Sequence, residues 1–208
     1  MAPLDPPHTW TAQRFDGLYA ASTDPWAMDG SWYEERKRAL LLASMPARRY
    51  THAFEPGCGH GLLSAQLALR CDRLQAWDCS ARALETARLR LESNNCQAWF
   101  RQACVPDQWP QEVFDLVVLS ELLYYLTYED LDQLMTRLLQ GLAPQATVVA
   151  CHWTHAIEGC AQTGSQVHER LHAGLSLPRV THVRDADFVL DLWTRGEAES
   201  LALREGRA

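Results

Sequence analysis

The heptapeptide Glu55-Pro-Gly-Cys-Gly-His-Gly61 decides how this chain folds. It follows Thr51-His-Ala-Phe54, which reads as a strand, and precedes Leu62–Leu69, whose apolar spacing reads as a helix. A glycine turn between strand and helix lets a ligand approach the loop amides and the helix N-terminus together. Asp78 ends the next strand-like run, Leu74-Gln-Ala-Trp77. A carboxylate at that point can accept both hydroxyls of a ribose. Loop and acid together describe a nucleoside site in the crevice of an open α/β sheet. A bare βα turn with an acidic helix start is the plainer alternative.

Strand and helix patterns alternate on both sides of the loop. Upstream, Phe15–Ala21 is amphipathic and Ser22-Thr-Asp-Pro-Trp26 breaks it. Ser31 is placed as an N-cap with Glu34 as its capping-box partner, for a helix that Pro46 stops after about Ser44. Downstream, Ser80 caps a helix through Leu91, and Cys96–Phe100 is the next strand. Phe114-Asp-Leu-Val-Val-Leu119 is the continuous apolar run of a strand covered on both faces. A helix over Tyr128–Leu142 ends at Gly141-Leu-Ala-Pro144, and Ala146–Cys151 is another buried strand. A helix follows from Gly164 to about His172. Val180–Arg184 and Phe188–Thr194, joined by Asp185-Ala186-Asp187, form an antiparallel pair. Repeated strand–helix units predict right-handed crossovers and a mostly parallel sheet with one antiparallel strand at the end of the chain. Residues 1–46 form a leader and cap, with 1–12 loose, and residues 47–208 form the α/β core of a single domain.

Bulk properties exclude several function classes. The chain has 208 residues, 47% of them hydrophobic, enough for one substantial core. Its 19 basic and 26 acidic side chains leave a net charge of −7, with no overall footprint for nucleic acid or anionic lipid. The seven cysteines are odd in number and include no C-x-x-C pair, so neither a disulfide framework nor a zinc ribbon fits. No apolar run approaches membrane-spanning length and the proline-rich start lacks a signal-peptide core. A cytoplasmic protein is expected. Its oligomeric state is not readable.

The spacing E-x-G-x-G-x-G differs from the G-x-G-x-x-G of nicotinamide-binding folds, because the third glycine comes one residue early. It resembles the first motif of class I methyltransferases. That resemblance implies a seven-stranded Rossmann-like sheet with S-adenosyl-L-methionine bound over the loop and S-adenosyl-L-homocysteine as product. Glu55, Gly57, Cys58, Gly59 and Gly61 would then form the loop contacts, with Asp78 and the adjacent Cys79 at the ribose. An acid that often binds the adenine amino group after the third strand is replaced here by Gln102-Ala-Cys104-Val105. Cys104 is a weaker acceptor than a carboxylate. Cys104 and Val105 are therefore adenine-side contacts with one expected hydrogen bond in doubt.

Asp24-Pro-Trp26, Ser31-Trp-Tyr-Glu34, Phe114–Tyr125 and Thr163-Gly-Ser-Gln-Val-His168 are similar to the nodulation protein S family of methyltransferases. The similarity runs from about Phe15 to Arg195. It implies an N-terminal helical cap over the cofactor, with Trp26 and Tyr33 as lid residues and Ser120 beside the reactive methyl. Glu121 and His152, at the carboxyl ends of successive strands, are the candidates to orient the attacking amine or take its proton. Tyr124, Tyr125, Trp153 and His168 would wall the acceptor site. The family methylates the free amine of a partly deacetylated chitin oligosaccharide. The implied acceptor is thus an amino sugar, an oligosaccharide or another small amine.

One rival motif stands apart. His168-Glu169-Arg-Leu-His172 matches H-E-x-x-H on a helix, the pattern of a zinc-dependent hydrolase. It would need a third ligand from His182, Asp185 or Asp187. No metal is expected on the methyltransferase reading. A non-catalytic protein that binds the cofactor is the third possibility.

Overall fold

The computed structural model describes residues 8–94, 97–197 and 200–207. Residues 1–7 of the expected leader, Asn95 and Cys96 lie outside the described residues.

Helix α1 (Ala12–Ala21) and helix α2 (Trp32–Ser44) precede the sheet. Strands β1 (Tyr50–Pro56), β2 (Cys71–Asp78), β3 (Trp99–Gln102) and β4 (Phe114–Ser120) follow, with α3 (Leu62–Ala68) and α4 (Ala81–Ser93) as the first crossovers. A 3₁₀ turn at Leu123–Tyr125 and α5 (Tyr128–Gln140) lead to β5 (Leu142–Trp153). Helix α6 (Gly164–Leu175), strands β6 (Arg179–Arg184) and β7 (Phe188–Thr194) and the single turn α7 (Leu201–Arg204) complete the order.

The sheet has seven strands in the order β3-β2-β1-β4-β5-β7-β6. Strand β7 runs antiparallel to both neighbours and the other pairings are parallel. This is the expected class I methyltransferase architecture. The antiparallel strand ends the chain's strand order but sits one place inside the sheet edge. The strand order reverses between β1 and β4, so the carboxyl ends there open a crevice.

The apolar run of β4 works as its sequence demands. Leu116 and Val118 face one layer with Leu41 of α2, Leu67 of α3 and Leu84 of α4. Val117 and Leu119 face the other with Leu134 and Leu138 of α5 and Leu171 of α6. Both layers are apolar, which is why the strand carries no alternation of polarity.

Four local expectations change. Ser31 does cap α2, accepting from Glu34 N at 3.4 Å, but no reciprocal capping box forms. The Glu34 carboxylate instead meets Lys37 Nζ at 2.8 Å, a stronger charge-assisted bond. Residues 8–12 are not loose: Trp10 N donates to Tyr125 O at 3.0 Å and its ring packs on Phe15 and Tyr125. Strand β5 begins at Leu142, before Pro144, because the register slips between the Phe114 and Leu116 pairings. The irregularity houses a proline that cannot donate to the ladder. Strand β3 runs on to Gln102, drawn out by pairing with the end of β2 at Asp78.

Gly61 has a packing role. It sits at φ +83° as the cap of α3, where a Cβ would lie 2.9 Å from Ala87 Cβ and 3.0 Å from its backbone Cα. The helix α4 therefore presses directly on the loop. Gly61→Ala combines a left-handed alanine with a backbone clash and should cost roughly 2–4 kcal/mol. A urea titration should show a lower midpoint with an unchanged slope.

Candidate active site

A cavity of about 790 Å³ opens over the carboxyl ends of β1, β2 and β4. Its floor is the glycine loop, and its roof is α1, α2 and the segment joining them. Most of the residues singled out from sequence line it: Trp26, Tyr33, Glu55, Gly57, Cys58, Gly59, Asp78, Cys79, Cys104, Val105, Ser120, Glu121, Tyr124, Tyr125 and Trp153. Gly61, His152 and His168 do not.

Asp78 organises the loop. Its Oδ2 accepts from Gly59 N and its Oδ1 from Ser80 N, both at 2.9 Å. Burial raises its pKa, and those two amides pull the other way. Each carboxylate oxygen keeps one acceptor position, so a diol can still be received. Gly59 sits at φ +55°, and a Cβ there would lie 2.9 Å from Tyr19 Oη. The cap thus rests on the loop through Tyr19, a buried residue that the amphipathic pattern of α1 did not mark as part of a site.

Glu55 is almost fully enclosed and accepts from Ser64 Oγ at 2.5 Å. Desolvation pushes its pKa up to about 8; the Ser64 bond opposes this and the Asp78 charge adds to it.

The far end of the cavity is built on Glu121. This residue is non-glycine yet sits at φ +52°, a conformation that costs energy and marks the turn after β4 as constrained. Its N–H donates to Cys151 O at 2.9 Å. Its carboxylate meets Lys37 Nζ at 2.7 Å, Tyr124 Oη at 2.5 Å and Trp153 N at 3.1 Å. Lys37 is 4% exposed. Burial works against its charge, but the carboxylates of Glu121 and Glu34 outweigh that and raise its pKa. Sequence reasoning missed Lys37, Glu34 and Arg38 on α2. A lysine among the apolar positions of a helix was the available signal.

Tyr33 stacks edge-on against Trp153 at 5.6 Å and carries the Lys37 ammonium 5.0 Å from its ring centroid. Trp26 packs edge-on against Tyr19 and is more exposed than Tyr33. Tyr125 lines the cavity together with Trp10 and Phe15, whose rings pack on it.

His152 does not face the cavity. It is fully buried and its ring is committed at both nitrogens. Nε2 accepts from Leu123 N at 3.2 Å. The proton must then lie on Nδ1, which donates to His168 Nε2 at 3.0 Å. His168 in turn donates from Nδ1 to Asp191 Oδ2 at 2.7 Å. Burial, the neighbouring His168 and Lys37 all hold the His152 pKa well down. His152 and His168 are therefore supports behind the 3₁₀ turn, a correction to the roles of base and acceptor contact.

The same chain of bonds dismantles the H-E-x-x-H reading. His168 has no free nitrogen, and His172 Nδ1 accepts from Trp193 Nε1 at 3.4 Å. The three suggested third ligands are held elsewhere, His182 by Asp191, Asp185 by Arg36 and Asp187 by His155.

The model of the family described as Nodulation protein S (NodS) matches residues 17–168. The Nodulation protein S of Sinorhizobium fredii is 35% identical over 133 residues, 62% of this chain and 60% of that one. That of Rhizobium tropici is 33% identical over 131 residues, 62% and 55% of the two chains. This chain thus spans about three fifths of the length of these relatives. A solved structure of a putative methyltransferase from Pseudomonas syringae is 45% identical, with a TM-score of 0.70, covering 79% of this chain and all of that one. The N-methyltransferase NodS from Bradyrhizobium japonicum WM9, in complex with S-adenosyl-L-homocysteine, shares the fold with a TM-score of 0.76 at 22% identity, covering 90% and 100%.

The buried Glu55 predicts a pH signature. Its folded pKa lies above the unfolded value, so the unfolded chain loses this proton first as pH rises. The contribution to stability is complete below about pH 4.5 and is lost as pH climbs through about 8. The slope from this one group is at most about 1.4 kcal/mol per pH unit. Chemical denaturation of Glu55→Gln across pH 5–8 should show that slope removed.

Proposed function

This chain belongs to the nodulation protein S family, and on that premise we propose that it is an S-adenosyl-L-methionine-dependent methyltransferase acting on the amine of a soluble small molecule, with an amino sugar or oligosaccharide as the first class to try. One observation carries the reading: a single cavity joins a nucleoside-type floor, Asp78 and the glycine loop, to a carboxylate end at Glu121.

On this reading Asp78 would accept from the ribose hydroxyls at its remaining acceptor positions, and the loop amides and Glu55 would hold the methionine end. Cys79, Cys104 and Val105 would border the base, with Asp107 lining the same part of the cavity. Ser120 and Glu121, which line the cavity beyond the loop, would stand beside the methyl. Methyl transfer moves CH₃ from the sulfonium sulfur to the amine nitrogen, with the S–CH₃ pair returning to sulfur and one N–H proton leaving. The leaving group is activated already, so the residues contribute alignment and exclusion of water. The Glu121 carboxylate uses three of its roughly four acceptor positions on Lys37, Tyr124 and Trp153. The remaining one can accept an N–H from the substrate and so aim the nitrogen lone pair at the methyl. Trp153 and Tyr124 offer flat faces suited to a sugar ring.

The test has two stages. Calorimetric titration with S-adenosyl-L-homocysteine should show one site, and Asp78→Ala should weaken it by about 1–3 kcal/mol. Methyl-labelled cofactor is then offered with a panel of amines, partly deacetylated chitin oligosaccharides among them, alongside acetylated and hydroxyl-only controls. Label in the amines alone supports the reading, and Glu121→Gln should lower kcat by about a hundredfold or more. No cofactor binding, or transfer to hydroxyl acceptors only, overturns it.

A further inference from the structure

The segment between α1 and α2 meets the glycine loop at a second place that the chemistry above does not use. Asp24 and Asp29 come from the segment and His60 from the loop. His60 Nε2 lies 3.8 Å from Asp24 Oδ1 and 3.9 Å from Asp29 Oδ2. The ligand atoms of these three residues all lie within 4.8 Å of one another, the one such group of His, Cys, Asp or Glu among the described residues.

The notable atoms are the two that have no partner. His60 is 2% exposed, and its Nε2 is buried without a hydrogen bond although it faces two carboxylates. Asp24 Oδ1 is buried and unpartnered as well. Polar atoms in this condition cost stability unless something bridges them. A direct bond is not available, because both separations exceed hydrogen-bond length. The cluster is otherwise well fixed. Asp29 N donates to Asp24 Oδ2 at 2.7 Å, which turns Oδ1 towards His60. Arg90 Nε donates to His60 O at 3.0 Å, and its Nη2 holds Asp29 Oδ2 at 3.0 Å.

A neutral imidazole with two carboxylates is a donor set for a borderline divalent cation, with water as a further ligand. Zinc takes such ligands at about 2.0–2.2 Å, which puts tetrahedral ligand atoms about 3.4 Å apart. The two histidine–carboxylate separations, 3.8 and 3.9 Å, are wider than this by about half an ångström, and the whole group lies within 4.8 Å, so side-chain torsions must draw the three ligands together. Arg90 offsets one of the two carboxylate charges and so argues for moderate affinity. We propose that Asp24, Asp29 and His60 form a binding site for a zinc-like divalent ion that fastens the cap segment to the glycine loop.

The location gives the ion a consequence. The segment carries Trp26 and Met28, which roof the cavity. A tie from that roof to the loop would slow opening of the cap. The site does not depend on the identity of the cofactor, so its test uses metal alone.

Metal-stripped full-length protein is titrated with Zn²⁺, and separately with Co²⁺, without cofactor. The expected result is one saturable equivalent, a raised melting temperature, and a cobalt spectrum without the charge-transfer band of thiolate ligands. Loss of an outer-shell partner weakens a metal site about ten- to a hundredfold, and loss of a ligand should do at least as much. His60→Gln and Asp24→Asn should therefore each weaken binding at least about tenfold, while His172→Gln should bind as the parent does. Absence of saturable binding to the parent overturns the proposal without recourse to any variant. So do a thiolate band and undiminished binding by folded His60→Gln and Asp24→Asn. A parallel titration of the stripped protein with S-adenosyl-L-homocysteine reports on the cofactor reading independently.

Discussion

The ion pair between Lys37 and Glu121 is the contact on which the rest of the site depends. It joins helix α2 to the turn after β4 at the far end of the cavity. Taking an ammonium out of water is expensive, and Lys37 is repaid only because two carboxylates, Glu121 and Glu34, converge on it. Removing either anion would leave a buried charge short of partners, the circumstance in which such pairs cost most. The position of α2 over the sheet is therefore tied to the geometry of Glu121. Glu121 in turn is held at a positive φ that it would not choose alone. The placement of α2 and the shape of the cavity at Glu121 are two aspects of one electrostatic arrangement.

At the other end of the cavity the protein also satisfies its own groups first. Asp78 is bonded to Gly59 and Ser80, and Glu55 to Ser64, with no ligand needed to complete them. These bonds hold the loop in the conformation that lines the cavity. Above it, Tyr19 closes down to a distance that only glycine allows at position 59. The glycine pattern consequently reports two things together: access for a ligand from the cavity and access for the cap from above.

The sheet was readable because its information is local. A continuous apolar run at Phe114–Leu119 and a turn at Glu55–Gly61 require nothing distant to be interpreted. Asp78 was readable for the same reason, since strand ends and glycine loops come in a fixed order. Lys37 and Tyr19 were not, because what makes them part of a site is a partner in another segment. The Lys37–Glu121 contact spans 84 residues. His152 failed in the opposite way. Its place at the carboxyl end of β5 was read correctly, but one residue's alternation along a strand decides which face a side chain takes. Trp153 turns to the cavity and His152 to the layer beneath α6.

That buried histidine still has bearing on the site. Leu123 N, at the start of the 3₁₀ turn, would be an unpaired donor in an apolar layer without His152 Nε2. Satisfying it fixes the tautomer of His152, which fixes that of His168, which requires the acceptor Asp191. Asp191 is 0% exposed and receives His182 and Arg179 from the edge strand β6. Each bond in the series is demanded by the one before, so a half-built series would be worse than an apolar replacement. The pattern His168-x-x-x-His172 then needs no metal to account for it. Its first histidine links the last strand pair of the sheet to the turn that carries Tyr124 beside Glu121, and its second pairs with Trp193 in the same layer. The sheet's outer hairpin, remote from the cavity in sequence, thereby contributes to the rigidity of the cavity wall.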